Sequence, residues 1–174
     1  MSRFVVYIAM SLDGYIADED GEVQWLEAFD QDTYGYEQFL QSIGSILMGR
    51  VTHDQIRSFG EWPYKEIPTL VWSGSQVEDL PGEAISWSEN IEQTVAWLKE
   101  QAGEKDVWIL GGKQTIHAFS QANLIDRWDI FVIPVLLGGG IRLFNGDGGE
   151  SQLMKLEEVQ PYANGVVKIS YTMR

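Results

Sequence analysis

Residues 108–116 read Trp-Ile-Leu-Gly-Gly-Lys-Gln-Thr-Ile, and this stretch decides the fold class. An apolar strand predicted over residues 107–110 runs through a glycine pair directly into a helix. The amino end of such a helix presents unpaired backbone N–H groups, a geometry that binds phosphate. The stretch is not a Walker loop, because Lys113 is followed by Gln114 rather than by Ser or Thr, and it lacks the G-x-G-x-x-G pattern.

On both sides of this stretch, strand patterns and helix patterns alternate along the chain. Strands are predicted at residues 3–10, 45–48, 69–72, 84–87 and 128–135, and helices at residues 36–43, 52–59 and 91–98. Residues 151–159 and 166–173 predict a closing antiparallel pair around the turn Asn164-Gly165. The alternation predicts a single α/β domain over residues 1–174, with a mostly parallel central sheet, flanking helices and an antiparallel carboxyl-terminal hairpin.

The composition is that of one globular domain, because 44% of the 174 residues are apolar and 22% are charged. A net charge of −14, from 26 acidic and 12 basic residues, gives a surface that repels nucleic acid and anionic membranes. The chain has no cysteine, and His53 and His117 lack ligand spacing, so no metal site is expected. No apolar run reaches the ~20 residues of a membrane span. The run near the amino end lacks a cleavage site, so we expect a cytoplasmic protein.

A second strand-to-helix turn lies in residues 47–52, Leu-Met-Gly-Arg-Val-Thr. Gly49 lets the backbone approach a ligand closely, the following helix offers free N–H groups, and Arg50 can form a bidentate pair with a phosphate. The alternative is an ordinary glycine turn with a solvated arginine. Ser73 follows a third predicted strand, and turns at the carboxyl ends of several parallel strands together predict an extended dinucleotide lying across those ends.

Two further segments carry candidate residues for ligand contact. Residues 138–149 contain six of the chain's 18 glycines and predict a long mobile loop. Because the same region carries Ile141, Leu143 and Phe144, it is also expected to pack against a ligand or a partner subunit. Trp25, which follows the first predicted loop, is the tryptophan expected near a ligand.

Taken in order, these motifs resemble the dihydrofolate reductase-like superfamily. More narrowly, they resemble the reductase domain at the carboxyl end of the bifunctional riboflavin-biosynthesis deaminase-reductase. That domain is matched by residues 11–17 (Ser-Leu-Asp-Gly-Tyr-Ile-Ala), 24–26, 107–112, 124–126 and 133–138. Residues 47–52 and Ser73 are similar instead to dihydrofolate reductase itself, whose Gly-Arg-x-Thr segment and serine hold NADPH.

Three positions depart from these relatives. Leu110 stands where the riboflavin reductase commonly carries a glutamate, and residues 51–54 replace its Asp-Asp-Pro stretch. Thr33 stands where dihydrofolate reductase has an acidic pterin-binding residue. The cofactor side of the resemblance is therefore closer than the substrate side.

The resemblance implies an NADPH-dependent reductase that acts on 5-amino-6-(5-phosphoribosylamino)uracil in riboflavin biosynthesis. The alternatives are a dihydrofolate or other pterin reductase, and a non-catalytic NADPH-binding dimer in which Leu110 marks lost chemistry. The implied cofactor-binding residues are Gly49, Arg50, Thr52, Ser73, Gly111, Gly112, Lys113 and Gln114, and the implied substrate-binding residues are Trp25, Leu137 and Gly138. The relatives also imply a homodimer built through the strand predicted at residues 128–135 and the loop after it.

Asp13 is the candidate catalytic acid, because it is a carboxylate inside a matched motif at the mouth of the first strand, and reduction of an imine-like bond needs a proton. Burial beside an apolar pocket predicts a raised pKa for this carboxyl. The alternative is a turn-forming aspartate before Gly14, with solvent as the proton donor. Arg50, with no acidic residue beside it, is expected to pair with the cofactor's 2′-phosphate.

Overall fold

The computed structural model describes residues 2–30, 33–75, 77, 85–88, 90–144 and 151–174. The strands are β1 (Phe4–Ser11), β2 (Tyr15–Ala17), β3 (Ile43–Gly49), β4 (Thr69–Trp72), β5 (Ile85–Ser88), β6 (Asp106–Gly111), β7 (Arg127–Ile133), β8 (Ile141–Arg142), β9 (Met154–Pro161) and β10 (Val167–Met173). The helices are α1 (Tyr36–Ser42), α2 (Arg50–Ser58), α3 (Ile91–Ala102) and α4 (Lys113–Gln121), and a 3-10 helix covers Gln24–Phe29. In these ranges no helix has the length and apolar character needed to cross a membrane.

Eight of the strands form one sheet in the order β5-β4-β3-β6-β1-β7-β10-β9. The strands from β5 to β7 in that order are parallel, so their carboxyl ends share one edge, whereas β10 is antiparallel to both β7 and β9. At the centre, Val6 of β1 lies opposite Ile109 of β6 and Trp128 of β7. This arrangement confirms the predicted mostly parallel α/β sheet with an antiparallel carboxyl-terminal hairpin.

The two faces of β1 pack against different helices, as the two-residue repeat of a strand requires. Phe4 and Val6 are buried in one cluster with Leu98 of α3 and Phe119 of α4. The ring of Tyr7 stacks on Phe39 of α1 at 4.0 Å between centroids. Full burial of a side chain of this size contributes about 1.5–3 kcal/mol, so helices on both faces fix the central strands beneath their shared carboxyl edge.

Two predicted elements differ from the structure. The helix predicted over residues 36–43 ends at Ser42, because Ile43 takes an extended backbone conformation and begins β3. The long mobile loop predicted over residues 138–149 is wrong in its first part, because β8 pairs with β2. Leu143 N also donates to Gly14 O at 3.1 Å, which fastens the segment further. Residues 145–150 lie outside the described residues.

Candidate functional site

The two predicted glycine turns face each other at the carboxyl ends of the neighbouring strands β3 and β6. A Cβ atom placed on Gly49 would lie 2.7 Å from Thr115 Oγ1. A Cβ atom placed on Gly112 would lie 3.3 Å from the hydroxyls of Thr52 and Thr115, and 3.4 Å from Gly49 Cα. A side chain at either glycine would therefore crowd these hydroxyls, and two threonine hydroxyls border the gap between the turns.

Each turn leads directly into a helix. Arg50 is the first residue of α2 and Lys113 the first of α4, and neither Gly49 nor Gly112 provides a side-chain cap for the helix that follows it. The first-turn N–H groups of a helix have no partner within the helix. Two uncapped amino ends beside each other form a surface suited to a pyrophosphate.

Thr115 was not predicted as a site residue, although the sequence contains a signal for it. Gly49-Arg50-Val51-Thr52 and Gly112-Lys113-Gln114-Thr115 are two copies of a Gly-x-x-Thr pattern, each at a strand-to-helix turn. Residues three positions apart at the start of a helix project from the same side of it. Each threonine therefore lies on the same side of its helix as the glycine turn that precedes it. The repetition therefore marks both threonines as neighbours of the same gap.

Ser73 lies one strand farther along the same edge, immediately after β4. Its backbone N–H donates to Ser88 O at 3.0 Å, which joins the ends of β4 and β5, and its Oγ accepts from Ser75 N at 3.3 Å. Among the other predicted cofactor residues, Lys113 is half-buried and Gln114 is exposed. The structure thus aligns Ser73, the Gly49 turn and the Gly112 turn along three adjacent strand ends.

Arg50 has an acidic neighbour, contrary to the expectation from the sequence. Its Nε lies 3.5 Å from Oδ2 of Asp54, one helical turn later, and 43% of the Arg50 side chain is exposed. The same carboxylate contacts Nδ1 of His53 through Oδ1 at 2.9 Å. Helical spacing of four residues produces the Arg50–Asp54 contact, so a phosphate at Arg50 would meet a cation whose charge is already shared.

Asp13 fastens the first loop to the segment after β7. Its carboxylate accepts hydrogen bonds from Ser11 Oγ at 2.7 Å, Gly138 N at 2.7 Å and Leu137 N at 3.1 Å. These bonds, led by the one from Ser11, lower the pKa of Asp13 to about 2. The raised pKa predicted for Asp13 is therefore wrong, because donors on three sides stabilise the ionised form.

The structure brings Asp13, Leu137 and Gly138 together but gives Trp25 different neighbours. Trp25 belongs to the 3-10 helix and packs on a cluster that contains Phe131 and Ile133 of β7. Within the described residues, its indole Nε1 is buried without a hydrogen-bond partner. Trp25 therefore forms part of the apolar wall on the α1 side of the sheet.

Arg142 of β8 was not predicted either. Its guanidinium lies 4.6 Å from the centre of the Tyr15 ring, and its NH2 group donates to the Tyr15 hydroxyl at 3.0 Å. This contact holds β8 against β2 beside the Asp13 bonds. Across the described residues, His, Asp and Glu form no cluster of three or more that could hold a metal ion.

The comparisons with solved structures define the fold first. A dihydrofolate reductase from Enterococcus faecalis, complexed with NADP(H) and RAB-propyl, superposes with a TM-score of 0.71 over 99% of this chain and 96% of that one, at 16% identity. A putative riboflavin biosynthesis protein from Shewanella sp. PV-4 superposes with a TM-score of 0.87 at 29% identity, covering 99% of both chains. The fold is therefore that of dihydrofolate reductase.

The sequence comparisons then define the family. The RibD C-terminal domain family matches residues 62–168. The uncharacterized protein YwjB of Bacillus subtilis (strain 168) is 36% identical over 154 residues, which are 87% of each chain. The chain belongs to the RibD C-terminal domain family, as its motifs indicated.

Proposed function

We propose that the protein is an NADPH-dependent reductase of a riboflavin-pathway pyrimidine, of the 5-amino-6-(5-phosphoribosylamino)uracil type. The observation that carries this proposal is the pair of facing Gly-x-x-Thr turns at the carboxyl ends of β3 and β6. In open α/β sheets, ligands bind at this edge. Membership of the RibD C-terminal domain family supports the reductase class and the pathway.

In this proposal the cofactor lies across the strand ends. The amino ends of α2 and α4 hold its pyrophosphate, with Thr52 and Thr115 beside it. Arg50 pairs with the 2′-phosphate, and Ser73 borders the adenosine ribose. NADPH supplies the hydride when bound, while this chain supplies orientation and electrostatics.

In this proposal Asp13 holds in place the segment that borders the substrate, and it does not donate the proton. A carboxyl with a pKa of about 2 carries almost no proton near neutral pH. Its bonds to the N–H groups of Leu137 and Gly138 instead fix the segment that borders the substrate. With Leu110 in place of a glutamate, solvent is left as the source of the proton.

The function is tested by measuring NADPH oxidation with 5-amino-6-(5-phosphoribosylamino)uracil, with dihydrofolate and with a wider panel of pyrimidines. We expect turnover with 5-amino-6-(5-phosphoribosylamino)uracil and none with dihydrofolate, because Thr33 offers no carboxylate to a pterin. Turnover with dihydrofolate alone would favour the pterin reductase. Tight NADPH binding without turnover on either substrate or on a wider pyrimidine panel would favour the non-catalytic alternative and contradict the proposal.

We also propose that the protein is a homodimer through an uncovered face of the sheet. Leu156 and Val159 of β9 lie opposite Tyr171 and Ile169 of β10, on the face that carries Trp128 of β7. Leu156 and Val159 are 51% and 54% exposed, although they are large and apolar. Contiguous exposed apolar side chains of this kind are typical of a protein interface.

Phe144 connects this face to the substrate side. Phe144 lies two residues after β8 and is 53% exposed, and the centre of its ring lies 5.4 Å from that of Trp128. Light scattering is expected to give twice the chain mass of 19.7 kDa. The double substitution Leu156→Lys and Val159→Lys should give the monomer, whereas Phe59→Lys, at an exposed apolar residue following α2, should not. A parent protein of 19.7 kDa at micromolar concentration would contradict the dimer.

A further inference from the structure

A cleft of about 650 Å³ lies between α1 and the sheet, at the amino ends of β1, β6 and β7. Arg3, Asp106 and Arg127 line it where these strands begin, and Gln38 of α1 lines the opposite side. Its volume falls in the range of small-molecule sites. It contains none of the predicted cofactor or substrate residues, which lie at the other end of the strands.

Aromatic rings close the cleft on the side that faces the carboxyl edge. Tyr7 packs on Phe131 with 4.6 Å between ring centroids, and Tyr34 packs on Tyr162 at 4.8 Å. Tyr34 is fixed in place, because its carbonyl accepts from the Tyr7 hydroxyl at 3.0 Å and its own hydroxyl donates to Phe29 O at 2.5 Å. The cleft is therefore separate from the glycine turns and has an aromatic end wall.

The cleft also brings together several of the chain's few basic side chains. Arg3, Arg127 and Lys168 line it, which is a quarter of the 12 basic residues in a chain of net charge −14. Two carboxylates line it, those of Asp106 and Asp129. Counted with Glu158, which pairs with Lys168, the cleft is close to neutral, whereas the protein as a whole is strongly negative.

The acidic partners hold these cations at the cleft and leave some of their N–H donors outside these ion pairs. Asp129 is only 3% exposed and accepts from Arg127 Nε at 3.0 Å and from Ser170 Oγ at 2.5 Å. In the described part of the chain Arg127 uses only Nε in this way, so its terminal N–H groups remain for a ligand. Lys168 Nζ donates to Glu158 at 3.0 Å and retains further N–H groups.

We propose that this cleft is a second ligand-binding site, which takes a small aromatic or heterocyclic anion. The ring of the ligand packs against Tyr7 and Tyr162, and its carboxylate or phosphate accepts from Arg127 and Lys168. Charge-assisted hydrogen bonds to a guanidinium give such a group both affinity and orientation. This site is independent of the proposed reductase activity, because it shares no residue with the cofactor edge.

Calorimetric titration with four probes separates the contributions of ring and charge. Phenyl phosphate carries a ring and a phosphate, 4-hydroxybenzoate a ring and a carboxylate, phenol a ring alone, and inorganic phosphate the anion alone. We expect saturable binding of phenyl phosphate or 4-hydroxybenzoate, at least about tenfold tighter than phenol and inorganic phosphate. Which of the two binds more tightly identifies the anionic group. Equal affinity for all four probes, or no saturable binding of any, would overturn the proposal.

Two variants locate the binding. Lys168→Gln should weaken the preferred probe by about tenfold, and its partner Glu158 stays solvated because 47% of its side chain is exposed. Lys155→Gln is the matched control, since Lys155 also pairs with a glutamate of the hairpin but lies outside the cleft. Gln38→Trp, at an exposed position of α1, should fill the cleft and abolish binding. Unchanged affinity in both Lys168→Gln and Gln38→Trp, or displacement of the probe by NADPH, would contradict a site in this cleft.

Discussion

The two edges of the sheet are built by different means. At the carboxyl edge, Gly49 and Gly112 leave backbone groups bare, and the nearest side chains are the short ones of Thr52 and Thr115. At the amino edge, where the parallel strands begin, long side chains form contacts between neighbouring strands. Arg3 donates to Asp106 through Nε at 3.2 Å and NH2 at 2.7 Å.

The carboxyl edge offers a ligand site because its glycines have no side chains, whereas the amino edge is held together by contacts between long side chains. A phosphate at the carboxyl edge needs space and free N–H groups, so any added atom obstructs it. The amino edge joins strands that are distant in sequence, as in the bond from Phe4 N to Asp126 Oδ2 at 2.7 Å. Substitutions at the first edge should therefore change NADPH affinity, whereas breaking these contacts at the second should lower the free energy of unfolding and leave NADPH affinity unchanged.

The largest effect is expected from Gly112→Val. Gly112 has a φ of +88°, and even its Cβ would lie 3.3 Å from two threonine hydroxyls. We expect NADPH affinity, measured by tryptophan fluorescence, to fall by about 100-fold because the side chain fills the gap between the turns.

Gly35→Val is the matched control for this substitution. Gly35 has a φ of +74°, so a valine there would also meet backbone strain, but nothing lies within 4 Å of its Cβ position. It should lose stability and keep its affinity for NADPH. Equal affinity in parent and Gly112→Val proteins would place the cofactor elsewhere.

Arg50→Ala should have the next largest effect. An arginine–phosphate pair contributes about 1.5–3 kcal/mol, but Arg50 is 43% exposed and its charge is shared with Asp54. We therefore expect the lower limit, a loss of about tenfold in the preference for NADPH over NADH. Arg57→Ala, on the same helix, should leave the preference unchanged. A parent protein that binds both cofactors equally would refute the role of Arg50.

Asp13→Asn should change kcat by less than about threefold, far below the 10²–10⁴-fold contribution of a general acid. The asparagine retains one acceptor oxygen, so part of the bonding to Leu137 and Gly138 persists. Asp13→Ala removes both acceptors and should raise KM more than Asp13→Asn does. A drop of about 100-fold in kcat for Asp13→Asn, with KM unchanged, would restore Asp13 as the proton donor.

The pH dependence of Asp13 has a definite sign. Its folded-state pKa of about 2 lies below the ordinary value of 3.8, so its hydrogen bonds stabilise the folded protein above that value. This stabilisation is lost as the pH falls through about 2. We therefore expect acid unfolding of the parent, followed by circular dichroism, to begin at lower pH than that of Asp13→Ala. Coincident acid transitions would contradict the lowered pKa.

The smallest effect is expected from Arg3→Gln at the amino edge. The Arg3 side chain is 51% exposed, and ion pairs of this kind contribute about 0.2–1 kcal/mol. Denaturant unfolding should show a loss of that size, while NADPH affinity stays that of the parent. A change in cofactor affinity would mean that the two edges are coupled.

The fold and part of the site could be predicted because they depend on local pattern. Alternating strand and helix periods identified the parallel sheet, and Asn164-Gly165 identified the hairpin turn. The glycines at residues 49 and 112 identified both turns, because an unpaired helix end after a strand is a local property. The Gly-x-x-Thr repeat would have added Thr115 by the same reasoning.

The remaining features depend on residues that only the folded chain brings together. The carboxylate of Asp13 accepts from Ser11 nearby and from N–H donors 124 and 125 positions away, and together these bonds lower the pKa that burial alone would have raised. Likewise, Arg3, Arg127 and Lys168 have nothing in common along the sequence, yet they line one cleft. Sequence by itself determined the strands, helices and glycine turns, because backbone preference and hydrophobic period act between near neighbours. Tertiary structure decided the charge states and the partners of side chains, because electrostatic interactions and hydrogen bonds depend on distance in space.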